Sequence, residues 1–295
     1  MIKRIRYLQK GSAMKQFLTA SFIFLCLCTT LFAERFTIGE KNIEVPAPAG
    51  FVRVTPEMST VYRFAEKTAN YDPKYIQLGY YIAQEDVADA LEGKLPPRKR
   101  TFFARVNKSF ISDVVGTQEF DKLMENTKTE NHQIIADARA QNPELYDEMI
   151  KGVEKQQASQ DFEFKVSQFL PLKEHDKTLH SMSFSMLYTM RVSDGNASQE
   201  DVVSCTMTHL NPAGKMLFLF CYAPQEELKW SRDASKLWTD AILASNPLPP
   251  EGNIQRGSPI ENTSPSGNTK IIIISVGLVV MGLLYLFRRN RNQTT

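Results

Sequence analysis

Two apolar segments bracket this chain, and together they set how much of it can fold as a body in water. The first runs from Phe17 to Phe32, behind a basic stretch carrying Lys3, Arg4, Arg6, Lys10 and Lys15. Basic residues, an apolar run and a small residue at its end, here Ala33, are the layout of a secretory signal peptide. Residues 1–33 are therefore expected to direct export and to be removed. Met14 is an alternative start, since the stretch from there is a complete signal by itself; an uncleaved N-terminal anchor is the competing reading. Cys26 and Cys28 each follow a leucine, where lipoprotein processing needs a small residue.

The second segment, residues 271–287, is 17 residues long, at the short end of what a membrane-spanning helix needs. Arg288, Arg289 and Arg291 follow it and only Lys270 precedes it, which puts the tail, residues 288–295, on the cytoplasmic side. The expectation is a single-pass type I protein of the cell membrane. Its C-terminal helix meets the lipid bilayer and its main domain is extracytoplasmic. Residues 246–270 are rich in Pro, Gly, Ser and Asn and nearly free of large apolar side chains, so they cannot bury a core and read as a flexible stalk.

What remains, residues 34–245, is long enough for one domain with a sizeable core. Short apolar runs at 36–38 and 43–45 flank Gly39-Glu40-Lys41 and read as a hairpin. After the Pro46–Gly50 break the chain resumes an extended pattern at 51–54. Pro56 opens a helix to about Ala69. Residues 75–83 are rich in strand formers, 85–91 suit a short helix stopped at Gly93, and 99–108 form the next strand. Thr117 to Gln160 carries thin apolar stripes at helical spacing, broken at Asn142-Pro143, and predicts a surface helical hairpin. Four extended runs follow at 162–172, 178–192, 202–210 and 216–222, joined by short links, and a helix over 224–244 closes the domain. The fold class is α+β: an antiparallel sheet ending in a four-strand meander, packed helices, a helical hairpin insertion and a separate C-terminal transmembrane helix.

Cys205 and Cys221 are the only cysteines beyond the signal. If Asn211 pairs with Lys215 across a three-residue loop, the two stand directly opposite on neighbouring strands, within disulfide reach. A structural cross-strand disulfide in an oxidising compartment is the expectation, and two buried free thiols are the alternative.

Chemistry is otherwise sparse. The balance of 35 Lys+Arg against 33 Asp+Glu supplies no basic face for nucleic acid, so no nucleic-acid partner is expected. His-Glu-x-x-His, Gly-x-Ser-x-Gly, Ser-x-x-Lys, phosphate-loop and dinucleotide patterns are missing from the sequence, and no catalytic, cofactor or metal residue is assigned. His175 and His180, with Glu174 and Asp176 beside them, lack ligand spacing and read as solvated turn residues. Asp194-Gly195 is turn chemistry. Tyr71, Tyr75, Tyr80, Tyr81, Phe102 and Phe103 read as core before they read as a ligand groove. Arg98-Lys99-Arg100 reads as a surface cluster. Asn107, Asn196 and Asn262 head sequons that matter only in a eukaryotic secretory pathway, whereas the basic signal and the cysteine-poor domain favour a bacterial periplasmic setting.

Residues Ile43–Phe51 (IEVPAPAGF) and Lys236–Asn246 (KLWTDAILASN) give the chain a layout that resembles exported bacterial envelope proteins of uncharacterised function. More distantly, an opening strand before a Pro/Gly-Phe turn, an antiparallel sheet and a closing helix make it similar in shape to the PsbP/Mog1/DcrB-like group. The helical hairpin at 117–160 departs from that shape. The resemblance implies an accessory or binding module without catalytic residues, and it carries over no site residue. The first functional expectation is a non-enzymatic, membrane-tethered envelope module with a protein partner. The second is an enzyme or small-ligand binder using a cleft that sequence does not reveal.

Overall fold

A computed structural model describes residues 33–247 of the chain, except 71, 97, 98, 142, 144–169 and 194–197. The predicted span at 271–287, the signal region and the second arm of the helical hairpin lie outside the described residues. Among those that are described, no helix is long and apolar enough to cross a membrane.

The chain opens with a hairpin, β1 (Glu34–Ile38) and β2 (Lys41–Val45), closed where Ile38 faces Lys41. Gly39 takes φ 58° in that turn, and a β-carbon there would meet the Ile111 carbonyl oxygen at 2.4 Å, so no larger residue fits. The remaining strands are β3 (Phe51–Arg53), β4 (Tyr75–Ala83), β5 (Thr101–Asn107), β6 (Leu170–Lys177), β7 (Ser181–Ser193), β8 (Ser198–Leu210) and β9 (Leu217–Pro224). They form one antiparallel seven-stranded sheet in the order β3-β4-β5-β9-β8-β7-β6. The predicted meander is its second half, and β9 then pairs back to β5, Phe103 opposite Phe220. Being central, β9 is buried on both faces, which is why it reads as a continuous apolar run rather than an alternating one.

The helices are α1 (Ser59–Asn70), the short α2 (Val87–Leu91), α3 (Thr117–Gln141) and α4 (Leu228–Ser245). One face of the sheet meets α1 and α3. Met182, Phe184, Met186, Met207, Phe218 and Phe220 pack there against Val61, Phe64, Phe120 and Met124. The other face meets the β1–β2 hairpin and α4, with Phe102, Tyr81 and Leu219 against Ile43, Val45, Trp238 and Ile242. Each fully buried large side chain of this kind contributes about 1.5–3 kcal/mol.

Two expectations change. Residues 173–177 continue β6 instead of forming a link, and the turn moves to 178–180. This is an edge strand, and its charged residues and two irregular steps, at Pro171/Glu174 and Glu174/Asp176, are the devices that keep an edge from pairing further. α3 is also more than a solvated surface helix. Phe120, Met124, Thr127, Asn131 and Ile135 are buried at helical spacing. Asn131 Nδ2 donates to the Leu172 carbonyl (3.1 Å), and Glu174 accepts from Lys128 (3.1 Å) and lies 2.8 Å from His132 Nε2, so α3 is fastened along β6.

Segments 43–51 and 236–246 touch each other. Trp238 Nε1 donates to the Pro46 carbonyl at 2.7 Å, with its ring edge-on to Tyr81 and Phe102. Asn246 accepts from the Glu44 amide (2.8 Å) and donates to the Glu44 carbonyl (2.7 Å). Asn246, which composition puts at the head of the stalk, is thus a buried clamp between the end of α4 and β2.

Candidate ligand groove

A groove beside α1 follows from a mismatch of strand lengths. β3 has three residues and pairs only with Tyr81–Ala83, so the first half of β4 has β5 on one side and no strand on the other among the described residues. α1 runs beside that uncovered half. Its Val61, Phe64 and Ala65 are buried in the core, which turns Tyr62, Glu66 and Ala69 toward the gap. The result is a groove of about 380 Å³ between α1 and β4. Tyr75, Gln77 and Tyr80 line it from the sheet, and Glu66 and Lys108 bring charges of opposite sign. Ile76, also lining it, is 40% exposed.

Arg53, the last residue of β3, controls one end. Its Nη2 donates to the Leu78 carbonyl at 3.0 Å, its Nη1 pairs with Glu34, and the guanidinium lies 5.1 Å from the Phe36 ring centroid. A side chain thus meets the β4 edge where β3 stops. Burial pushes the Glu34 carboxyl up from its ordinary range, with Arg53 pulling the other way. Gly79 is needed here because the Tyr81 ring folds back over it. A β-carbon at 79 would stand 2.6 Å from the Tyr81 hydroxyl.

The aromatic set picked out from sequence divides between the two faces. Tyr80 stacks on Phe103, which stacks in turn on Phe220 and Tyr222, on the α1/α3 face; Tyr81 and Phe102 pack with Trp238 on the other. Tyr75 and Tyr80 are both core residues and groove lining; Tyr71 is outside the described residues. Arg100, from the predicted basic cluster, is not a free surface charge. It makes two hydrogen bonds to Glu227 (2.6 and 2.9 Å) and lies over Trp230. Asn107 is a buried turn residue whose Oδ1 accepts from the Ser109 amide.

The histidines separate. His132 faces Glu174, His180 sits in the β6–β7 turn, and His175 has its Nδ1 buried without a partner. His209 is fully buried with Phe184 and Phe218 edge-on to its ring, and desolvation pushes it down to about 4. Among the described residues no three His, Cys, Asp or Glu side chains gather as metal ligands would.

The expected disulfide between Cys205 and Cys221 is not formed; both thiols are free and buried. The reason is the turn between β8 and β9. Asn211 and Lys215 do not pair with each other. Asn211 Nδ2 donates to the Val115 carbonyl (2.9 Å), and Lys215 Nζ donates to the carbonyls of Ile111 (2.8 Å) and Asp113 (2.6 Å). The connection, with Ala213 at φ 49° and Gly214 at φ 83°, closes instead on Leu210 opposite Leu217. That is a one-residue offset, and in a strand one residue reverses the face. Cys205 stands opposite Tyr222 on the α1/α3 face, and Cys221 opposite Thr206 on the α4 face. Burial pushes the Cys205 thiol up to about 12 and Cys221 well above its ordinary value, so neither is a ready nucleophile.

Sequence reading missed a polar layer beneath the first half of α4. Ser183 pairs with Thr208 (2.7 Å) and Ser185 with Thr206 (3.0 Å) across β7 and β8. Thr206 then reaches Ser231 (2.5 Å) and Thr208 reaches Ser235 (3.0 Å) on the helix. The signal was present: hydroxyls alternate along both strands and recur four apart at 231 and 235.

No family model matches the chain, and no curated protein does. Among solved structures, the Saccharomyces cerevisiae Ran-binding protein Mog1p is similar at a TM-score of 0.25 and 8% identity, over 72% of this chain and 93% of that one. The similarity is a distant one of shape, and at that score it carries no argument about the site.

Proposed function

We propose that this chain is a membrane-tethered envelope protein. In this reading residues 1–33 export it, residues 271–287 hold it in the bilayer on the stalk 246–270, and its extracytoplasmic domain binds or helps assemble another envelope protein without catalysing a reaction. The observation that supports a binding role is the α1/β4 groove. Its tyrosine-lined wall, unstranded sheet edge and charges of both signs, Glu66 and Lys108, suit recognition of a partner's surface. The test places a photo-crosslinking residue at Ile76 in the full-length chain in native membranes, with the same residue at exposed Leu237 on α4 as control. A stoichiometric adduct at 76 and none at 237 is the expected result. Equal labelling at both positions would remove the groove from the proposal.

The second reading, a small-ligand or enzyme site, is favoured by the volume, since about 380 Å³ lies within the range of small-molecule pockets. A saturable thermal stabilisation by a metabolite, lost on Tyr62→Trp filling of the groove, would select it over the first.

A further inference from the structure

The seven-stranded sheet has two edges, and they are protected unequally. β6 carries Lys173, Glu174, Asp176 and Lys177 and two irregular steps, which keep it from pairing further. The open half of β4, from Tyr75 to Gly79, reads YIQLG and holds no charge. The ladder fixes which of its groups point outward. The Lys108 amide donates to the Lys74 carbonyl at 2.8 Å, so Tyr75 and Asn107 form a non-hydrogen-bonded pair and Ile76 turns its N–H and C=O to Val106. Gln77, next along, therefore turns both of its backbone groups away from β5, and no strand receives them there among the described residues. Beyond it the edge is already used: Arg53 caps the Leu78 carbonyl, and the Tyr80 carbonyl accepts from the Val54 amide at 2.8 Å. The Gln77 side chain is half satisfied. Its Nε2 donates to the Ala65 carbonyl at 3.4 Å, whereas its buried Oε1 has no partner among the described residues.

We propose that the groove takes a short extended segment of a partner protein, which adds to the β4 edge as an antiparallel strand, running as β3 does. The inference rests on the partner-binding reading of the groove for the source of that strand. A residue set opposite Gln77 exchanges both backbone hydrogen bonds with it, and such main-chain pairing is how a sheet edge recognises a peptide. The side chains follow from the pleat. The residue opposite Gln77 shares its face and supplies a donor to Oε1, as a threonine hydroxyl does. Its two neighbours lie on the face of Ile76, which is 40% exposed, and are apolar. Exposed Lys108 stands at the Tyr75 end and exposed Glu66 on α1, so the segment carries a carboxylate on its C-terminal side and a basic residue on its N-terminal side.

The test uses the full-length chain in neutral detergent, with a fluorescent, end-capped peptide, Lys-Val-Thr-Val-Glu, as the probe. Saturable binding is expected, with a dissociation constant of about 0.1–1 mM for so short a strand. N-methylation of the threonine removes the N–H that meets the Gln77 carbonyl and weakens binding about tenfold. Gln77→Pro removes the matching N–H from β4, which an edge position tolerates, and weakens binding at least as much; Gln77→Thr keeps the backbone rung and loses less. The N-methyl peptide acts on the unaltered chain, so the outcome stands even where Gln77→Pro fails to fold. Absence of saturable binding up to about 5 mM, or binding that N-methylation leaves unchanged, overturns the strand. If an adduct at Ile76 still forms in native membranes, the groove reading survives without this inference. If the peptide binds as expected and no adduct forms, the strand site survives and the envelope partner falls. An adduct joining Ile76 to a second copy, or to residues 248–270 of the same chain, gives the edge to this chain and overturns the external partner.

Discussion

The same strands β7 and β8 build two interfaces of opposite character. On the α1/α3 face their alternate residues are Met182, Phe184, Met186, Cys205 and Met207, held by contact alone. On the α4 face the intervening residues are Ser183, Ser185, Thr206 and Thr208, held by hydroxyl-to-hydroxyl bonds that continue onto Ser231 and Ser235. Apolar contact is strong and nearly indifferent to small sliding, since sulfur and ring surfaces repack. Hydroxyl chains are weak individually but directional, so a helix displaced by one residue would leave several donors unmet. Apolar contact supplies the stability, and the hydroxyl chains set where α4 sits along the strands. The helix uses both means along its length: hydroxyls in its first half, then Trp238 and Ile242 in its second.

The apolar contribution is the larger one to remove. Trp238→Ala takes away a fully buried indole, its contacts with Tyr81 and Phe102 and its bond to Pro46, and is expected to destabilise by about 3–5 kcal/mol in urea unfolding. Phe184→Ala on the opposite face should fall in the same range. A loss at Trp238 below about 1 kcal/mol would mean that α4 is held by its hydroxyls and not by apolar contact.

Next in size is a buried group of the α1/α3 face that is polar and yet has no hydrogen bond. His209 is held down at about 4 from an ordinary 6.5, so below pH 6.5 the unfolded chain takes up a proton that the folded chain refuses. Stability from this group is therefore full above pH 6.5 and lost as pH falls toward 4, by roughly 3 kcal/mol in total. His175, also held at about 4, adds a loss of the same sign. His209→Phe should flatten part of the decline in unfolding free energy between pH 6.5 and 4. An unaltered pH profile would mean that the ring is not buried as a neutral group.

On the α4 face, Thr206→Val takes a partner from the hydroxyls of Ser185 and Ser231 and should destabilise by about 1–3 kcal/mol. The informative variant is the triple Ser185→Ala/Thr206→Val/Ser231→Ala. It removes every hydroxyl of that chain, so no hydroxyl is orphaned, but it also takes the Ser185 acceptor from Arg232 Nε and should recover only part of the loss. Strict additivity of the three single changes would show that the chain is not a unit.

These interfaces also show how far residue patterns carry. The four-strand run and the closing helix are legible because periods of 2 and 3.6 survive in β7, β8 and α4. The turn at 173–177 misleads because Lys173, Glu174, Asp176 and Lys177 look like loop residues, and charge on an edge strand reads the same as charge in a turn. The groove could not be read, since it depends on β3 stopping at Arg53 and on α1 lying beside β4, both set by tertiary packing. The hydroxyl layer could have been read, had Ser/Thr alternation been weighed as apolar alternation was.

The smallest expected effect tests the strand register itself. With Cys205 and Cys221 on opposite faces, no bond between them contributes to stability, and a reductant should leave Tm of the folded chain within about 1 °C. Alkylation of the denatured, unreduced protein should modify both thiols, whereas the folded protein should resist because both are buried and held protonated. A disulfide recovered by mass spectrometry would require Cys205 to face Cys221. Every residue of β9 would then change sides, taking Phe218 and Phe220 out of the core they share with Phe184 and Met207. Because that rearrangement would abolish both interfaces, the thiol count decides between the two registers.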